Sequence, residues 1–415
     1  MTERPSRWTG IAVALAAAAT PLLALHAHRA ATPILAVAAT GAMAAAYLRD
    51  RRLPLPAAGF AILLAAVLGW ATLGLAWSIA PAAGIDLLPR VAAVCFGALM
   101  LAAVARDLPA AEAEIARTAL VAGVAGGALL LAAEAATGGA VKALLSDKEH
   151  PTIAIKAGST ILALLAWPAM AVLWERGRPV AAFLLLAALT LPMAALDGRA
   201  AVIALVAGAA TAAAAWAAPR TTALALTATA AAGILLAPLL ALKVIHPWLG
   251  GGTGEALLPF SGQHRIAIWR FAASHVMERP LLGWGFNASR SFPGGKDPIE
   301  PWSGAMQMPL HPHNAALQWW LELGLPGAVA GAVFVALAAR AALASPTRAS
   351  RVTGLAMLAA GIVVAMLSYG AWQNWWLAAV GLAAAFAAAG RGGRADAPIR
   401  RTDPPAGAVV RGGSA

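Results

Sequence analysis

The sequence predicts an all-α membrane protein of about twelve transmembrane helices, with one long periplasmic loop that carries short helices. Of 415 residues, 61% are hydrophobic and 12% are charged, whereas an average soluble domain is about half apolar and about a quarter charged. The apolar residues come in runs close to the roughly 20 residues that a bilayer-spanning helix needs. Only residues 244–313 have the mixed composition of a long soluble segment.

The apolar runs predict the spans one by one. The first is too long for the apolar core of a cleaved secretory signal, and more spans follow it, so we interpret it as an uncleaved helix. The last two are separated by Ser368 to Trp376, a stretch that fits either a loop or a re-entrant break. The predicted spans are 10–28, 31–48, 57–77, 89–105, 116–136, 157–174, 179–196, 200–218, 221–243, 314–339, 352–369 and 372–389.

The basic residues predict the orientation. With both termini inside, 18 of the 30 Lys and Arg residues lie on the cytoplasmic side, and six of the other 12 are grouped at one long loop, where the positive-inside rule has less weight. The chain then divides into N-terminal spans (1–243), a periplasmic catalytic loop (244–313), C-terminal spans (314–389) and a disordered cytoplasmic tail (390–415). We expect a multi-pass protein of the inner membrane.

Two features of the composition exclude other classes. The single cysteine, Cys95, lies in an apolar run, so disulfides and cysteine-based zinc sites are not expected. The formal net charge of +12 fits cytoplasmic loops that face anionic lipid, and no soluble segment carries a basic stripe interleaved with aromatics. Membrane lipids, not nucleic acid, are therefore the expected partners of these charges.

The long loop holds most of the residues that could carry chemistry. GQHRIAIWRFAASHVMERP has an apolar stripe at helical spacing and ends at Pro280, which predicts a helix. The turn-forming stretch LLGWGFNASRSFPGG follows, and HPHNAALQWW then carries His311, His313 and Asn314 into the next span. Pro312 is expected to turn His311 away from His313.

These motifs resemble the O-antigen ligase and O-antigen polymerase superfamily, and O-antigen ligases most closely. The similarity rests on RIAIWRFAASHVMERPLLGWGF followed by HPHNAALQWWLELGLPGA, and on LDGRAAVIAL around Arg199, where Gly198 stands in place of the family's usual Ser. It covers about residues 180–345. The N-terminal helices match only in hydropathy.

The resemblance implies a transferase with two lipid-linked partners. The donor would be a glycan on undecaprenyl diphosphate, and the acceptor a sugar hydroxyl of lipid A–core. Arg199 and Arg265 would bind the diphosphate, whose developing charge suits bidentate guanidinium groups. His313 would act as general base near neutral pH, and Asn314 would orient the ring or a sugar.

Each of these residues also has an interpretation without function. Arg199, Arg265 and Arg90 could be interfacial anchors, although Arg90 could bind a lipid phosphate. His311 is expected to be structural more often than substrate-binding, and Trp284 could stack on a sugar or belong to the interfacial aromatic belt.

No cofactor or metal is expected. The outer side lacks an HExxH motif or a cluster of carboxylates, and no phosphate-binding loop or dinucleotide motif suggests a nucleotide sugar.

Other functions remain open. An O-antigen polymerase or a protein O-oligosaccharyltransferase would use the same donor with another acceptor. A transporter of lipid-linked glycan is disfavoured because it would need ionisable residues at mid-span, and Asp86 and Glu134 both fall near span ends.

Overall fold

The computed structural model describes residues 7–145, 151–249, 258–299 and 302–391, and these are almost entirely helical. The helices are, in chain order, α1 (Trp8–Ala24), α2 (Ala31–Asp50), α3 (Ala58–Leu73), α4 (Pro81–Arg106), α5 (Ala110–Thr137), α6 (Ala140–Leu144), α7 (Pro151–Glu175), α8 (Pro179–Ala195), α9 (Arg199–Ala217), α10 (Pro219–Leu235), α11 (Ala237–Leu240), α12 (His246–Leu249), α13 (Phe260–Glu278), α14 (Ala315–Leu343), α15 (Arg348–Leu367) and α16 (Asn374–Ala388).

The all-α membrane fold is confirmed, because each of the twelve predicted runs coincides with a helix. Within the described ranges, eight helices are long and apolar enough to cross a bilayer, or nine if one bent pair forms a single span. The other three predicted spans, α1, α8 and α16, are shorter apolar helices. The number of spans therefore depends on how these three lie in the membrane.

The predicted span 221–243 is not straight. The chain bends by 71° after Leu235, and a π-helical turn follows at Ala241–Ile245. Pro238 explains the break, since it has no N–H to donate to the carbonyl of Ile234 one turn earlier. The indole Nε1 of Trp320 donates to this carbonyl instead, at 2.8 Å.

Helix α7 forms the centre of the bundle. Its residues from Ile161 to Val172 are almost all buried, as expected for a helix with protein on every side. The small residues of its neighbours allow this close packing, because a Cβ on Gly208 of α9 would lie 2.2 Å from the ring of Trp167. Packing through small residues is common between helices in membranes.

Contacts between loops occur at both ends of the bundle, and the orientation of the bundle in the membrane stays a prediction. At the predicted cytoplasmic end, Glu175 pairs with Arg117 and accepts hydrogen bonds from the hydroxyls of Thr347 and Ser350, at 2.5 and 2.6 Å. Gly390 donates its N–H to Ala105 at the same end, at 2.9 Å. The predicted outer loops contact one another at the opposite end and hold the candidate site.

The long loop contains one feature that the sequence did not predict. Besides α13, which is the helix expected before Pro280 and begins two residues earlier than the predicted segment, it forms an antiparallel pair of strands, β1 (Pro298–Ile299) and β2 (Trp302–Met306). The domain boundaries stay predictions, and most of the predicted tail, from residue 392 onward, lies outside the described residues.

Candidate functional site

A break in α14 locks the turn after α13 onto the bundle. Gly324 has φ 66° and ψ −156° inside α14, a conformation that L side chains rarely adopt, and Pro326 lacks an N–H. The backbone carbonyls freed by the break accept hydrogen bonds from the turn after α13. The carbonyl of Leu321 accepts the N–H of Trp284 at 2.8 Å, and the carbonyl of Glu322 accepts the N–H of Gly285 at 3.0 Å. The PLLGWG and LELGLPG motifs therefore form one unit.

The Glu322 side chain is completely buried and connects three segments of the outer side. Its Oε2 accepts from the N–H of Asn287 and from Nε1 of Trp372, both at 2.7 Å. Its Oε1 accepts from the hydroxyl of Ser289 at 2.5 Å and from the amide of Gln318 at 3.0 Å. These donors satisfy a carboxylate that burial would otherwise disfavour strongly. Sequence reasoning missed Glu322, although an acid inside an apolar helix was an available signal.

His313 has the geometry of a general base. Its Nδ1 lies 2.6 Å from the carbonyl oxygen of Ser368, so Nδ1 carries the proton and donates it, which leaves the Nε2 lone pair available. Burial lowers the pKa of His313, with the charge of Arg265 acting in the same direction. The ring is therefore neutral near pH 7, as a base requires.

His311 supports His313, and the prediction that Pro312 turns it away is wrong. The centroids of the two imidazoles lie 4.3 Å apart, and Nδ1 of His311 accepts the N–H of His313 at 3.2 Å. The reason is that His313 takes a left-handed backbone conformation, with φ 53°, which folds the chain back after Pro312. We call these two residues the histidine pair.

The protonation of His311 follows from its contacts. Since Nδ1 accepts, the proton lies on Nε2, which faces the side-chain amide nitrogen of Gln373 at 3.2 Å. An N–H cannot accept this proton, so the amide is turned over and its oxygen takes that position. Burial lowers the pKa of His311 to about 3. With both ring nitrogens occupied, His311 is suited to positioning and not to proton transfer.

Arg265, a residue of α13, lies near His313, and its charge acts on the His313 ring. Its side chain is half-buried, and burial lowers its pKa. No carboxylate of the described residues pairs with it, and its contact with the carbonyl of Ser261 is long, at 3.5 Å. Tyr369, whose pKa burial raises to about 12, lies close enough to interact with Arg265 electrostatically. A half-buried guanidinium without a carboxylate is a good binding place for an anion.

Arg199, by contrast, already has an acidic partner. It begins α9, and its Nε donates to Asp197 at 2.5 Å, while Lys156 donates to the other oxygen of this carboxylate at 2.9 Å. The bond from Lys156 is the main cause that lowers the pKa of Asp197. The backbone explains Gly198, because a Cβ there would lie 2.9 Å from the carbonyl oxygen of Met193.

Lys156 links this turn to the Arg265 side of the histidine pair. The hydroxyl of Tyr369 donates to the backbone carbonyl of Lys156 at a long 3.4 Å. These contacts connect Arg265, through Tyr369, to Lys156 and Arg199, and we call the three basic residues the cationic region.

Two other predicted residues have structural roles. Asn314 caps α14, its Oδ1 accepting the N–H of Leu317 at 3.0 Å, a role that such residues favour. The indole of Trp284 donates to the carbonyl of His275 at 2.9 Å, and the guanidinium of Arg279 lies over its ring at 4.1 Å. Contacts of Asn314 and Trp284 with a sugar stay predictions.

Arg90 lies apart from the cationic region. It lines a cavity together with His311, Arg29 and Arg290, and it pairs with Asp86 one turn earlier in α4. No spacing in the sequence connects Arg29 and Arg290 with Arg90, because they come from distant turns. Within the described ranges, no group of three His, Cys, Asp or Glu residues is arranged to hold a metal ion.

Comparison with known proteins identifies the segment that carries most of this site. Residues 181–331 match the family model described as O-Antigen ligase. A "Putative polysaccharide ligase" of Rickettsia conorii is 32% identical over 147 residues, which are 35% of this chain and 35% of the relative. One of the same description from Rickettsia prowazekii is 33% identical over 147 residues, 35% of this chain and 36% of the relative.

The similarity thus spans about a third of the length of these relatives. The matched segment contains Arg199, Arg265, the histidine pair and Glu322, and it leaves out Arg29, Arg90 and the loop before α16. Over residues 181–331, the chain is similar to the O-antigen ligase family.

Proposed function

We propose that this chain is an O-antigen ligase, a glycosyltransferase of the inner membrane with its site facing the periplasm. The donor is a glycan linked to undecaprenyl diphosphate, and the acceptor is a sugar hydroxyl of lipid A–core. The observation that carries the proposal is the orientation of His313, whose Nδ1 is held by the carbonyl of Ser368 at 2.6 Å while Nε2 stays available beside Arg265.

The reaction requires one proton acceptor and one anion-binding group. Nε2 of His313 takes the proton of the acceptor hydroxyl as its oxygen attacks the anomeric carbon of the donor. The bond from that carbon to the phosphate oxygen breaks, and the diphosphate leaves with the electron pair. A base so placed contributes about 10² to 10⁴-fold.

Arg265 is the first choice for the leaving diphosphate. It is half-buried and lacks a carboxylate partner among the described residues, so an anionic ligand would compensate its desolvation. Arg199 is the second choice and must share its guanidinium with Asp197. Because arginines supply the charge stabilisation, the proposed reaction needs no metal or other cofactor.

An O-antigen polymerase and a protein O-oligosaccharyltransferase are alternatives that differ only in the acceptor. The glycan status of lipid A–core in a strain that lacks this protein separates them. A ligase predicts core without attached glycan and accumulation of the lipid-linked donor, and plasmid-borne protein restores attachment. Fully glycosylated core in that strain would contradict the ligase and leave the alternatives.

A further inference from the structure

The cavity lined by Arg29, Arg90 and Arg290 lies next to the histidine pair but outside the cationic region. It has a volume of about 320 Å³, and its wall includes His311 but neither His313, Arg265 nor Arg199. This volume is at the lower end of the range for small-molecule sites and suits a sugar ring with a substituent. Nothing in the proposed chemistry of His313 and Arg265 uses this space.

Three arginines from separate parts of the chain converge on this cavity. Arg29 comes from the turn before α2, Arg90 from α4, and Arg290 from the loop after α13. Among the described lining residues there is no Asp or Glu, although Arg90 has Asp86 as a neighbour outside the lining. Like charges on one cavity wall repel one another unless an anion compensates them.

The wall also offers polar atoms to a ligand. Oδ1 of Asn374 is buried with no hydrogen-bond partner among the described residues, and buried polar atoms without a partner are uncommon in native proteins. Gln373 directs one end of its amide toward His311, and the position at the other end of this amide, filled by nitrogen once the amide is turned over, has no partner in the described chain. Sugar hydroxyls can satisfy both.

We infer that this cavity binds the acceptor through a phosphate group on one of its sugars. Phosphate is favoured over a single carboxylate because three guanidinium groups match its higher charge and its several acceptor oxygens. The inference rests on the proposed function, since it supplies the second substrate for the transfer at His313.

The position also suits the reaction. In a direct displacement, the incoming hydroxyl approaches the anomeric carbon from the face opposite the leaving group. The diphosphate is assigned to the Arg265 side and the acceptor to the Arg290 side. His311 lines the cavity together with Arg290, whereas Arg265 and His313 are not part of its wall.

Binding without turnover tests the inference. The full chain in nanodiscs of zwitterionic lipid is titrated with lipid A–core and with the same glycolipid after enzymatic dephosphorylation, in the absence of donor. We expect Arg29→Gln and Arg290→Gln each to weaken binding of the phosphorylated form by about 10-fold to 100-fold and to leave the dephosphorylated form unchanged. Arg270→Gln, an exposed arginine of α13 outside the cavity, is the matched control and should bind as wild type.

Three results would overturn the inference. Equal affinity of the wild type for both glycolipids would show that phosphate is not recognised. Weaker binding of lipid-linked donor in the Arg29 and Arg290 variants would make the cavity a donor site. If phosphatidylglycerol in the nanodiscs weakens glycolipid binding by the wild type but not by these variants, the cavity is a site for a lipid headgroup. A failure of the proposed function gives a different result: the phosphorylated glycolipid would bind as expected, but no glycan would be transferred to it.

Discussion

The buried carboxylate of Glu322 should be essential for holding the outer loops together, and Glu322→Gln tests this with almost no change of shape. Oε2 receives two N–H groups, from Asn287 and Trp372, both at 2.7 Å, and neither donor can become an acceptor. The new amide nitrogen must therefore replace Oε1. At that position the hydroxyl of Ser289 can rotate and accept a hydrogen bond. The amide nitrogen of Gln318, which donates to Oε1 at 3.0 Å in the wild type, would instead face an N–H of the new amide.

Gln318 cannot relieve this conflict freely, because its own Oε1 already accepts the N–H of Ala371 at 2.8 Å. The variant thus leaves one buried donor unsatisfied and removes the charge that strengthens the other bonds. At about 1–3 kcal/mol for an unsatisfied buried group, plus the lost charge assistance, we expect a destabilisation of about 2–4 kcal/mol. Glycan transfer should fall with it.

The assay is a reversible denaturant titration of purified protein in mixed micelles. Glu278→Gln is the matched control, since Glu278 is exposed at the end of α13 and its loss should change stability by no more than about 0.5 kcal/mol. If Glu322→Gln has the same stability as this control, the carboxylate does not hold the outer loops together.

Three further predictions address the site and the topology. Arg265→Lys should lower the transfer rate by about one to two decades, since a point charge does not reproduce a planar fork worth about 1.5–3 kcal/mol; a native rate would reduce Arg265 to an anchor. Burial lowers the pKa of His313 from its ordinary value of 6.5, so its base form persists below pH 6.5. The loss of kcat/KM on acidification should therefore have its midpoint below pH 6.5, and a midpoint at or above pH 6.5 would contradict the effect of burial. With Cys95 replaced by Ala, cysteines at Ala110 and Lys296 should react with impermeant reagent from opposite sides, and labelling from one side would refute the topology.

The helices were predictable from sequence because hydropathy acts locally, and each span satisfies its own backbone hydrogen bonds. The bend after Leu235 was not predicted, since it needs both Pro238 and the distant indole of Trp320 to take over the carbonyl of Ile234. A proline by itself does not say whether the helix bends or ends.

In the site, the residues carried by motifs were the ones named from sequence. His313 and Arg265 do lie close together in the structure. The donors to Glu322 come from three separate segments, and no spacing rule connects them. The contact between His311 and His313 depends on a left-handed residue that is not glycine, which composition does not reveal.

The most direct test of the assignment of His313 as general base uses purified protein, lipid-linked donor and lipid A–core, with acceptor binding and turnover measured separately. We predict that the wild type forms glycosylated core, that His313→Ala lowers turnover by about 10² to 10⁴-fold with acceptor binding retained, and that the control His275→Ala transfers at the wild-type rate. A folded His313→Ala protein that turns over within a few-fold of wild type would contradict the assignment.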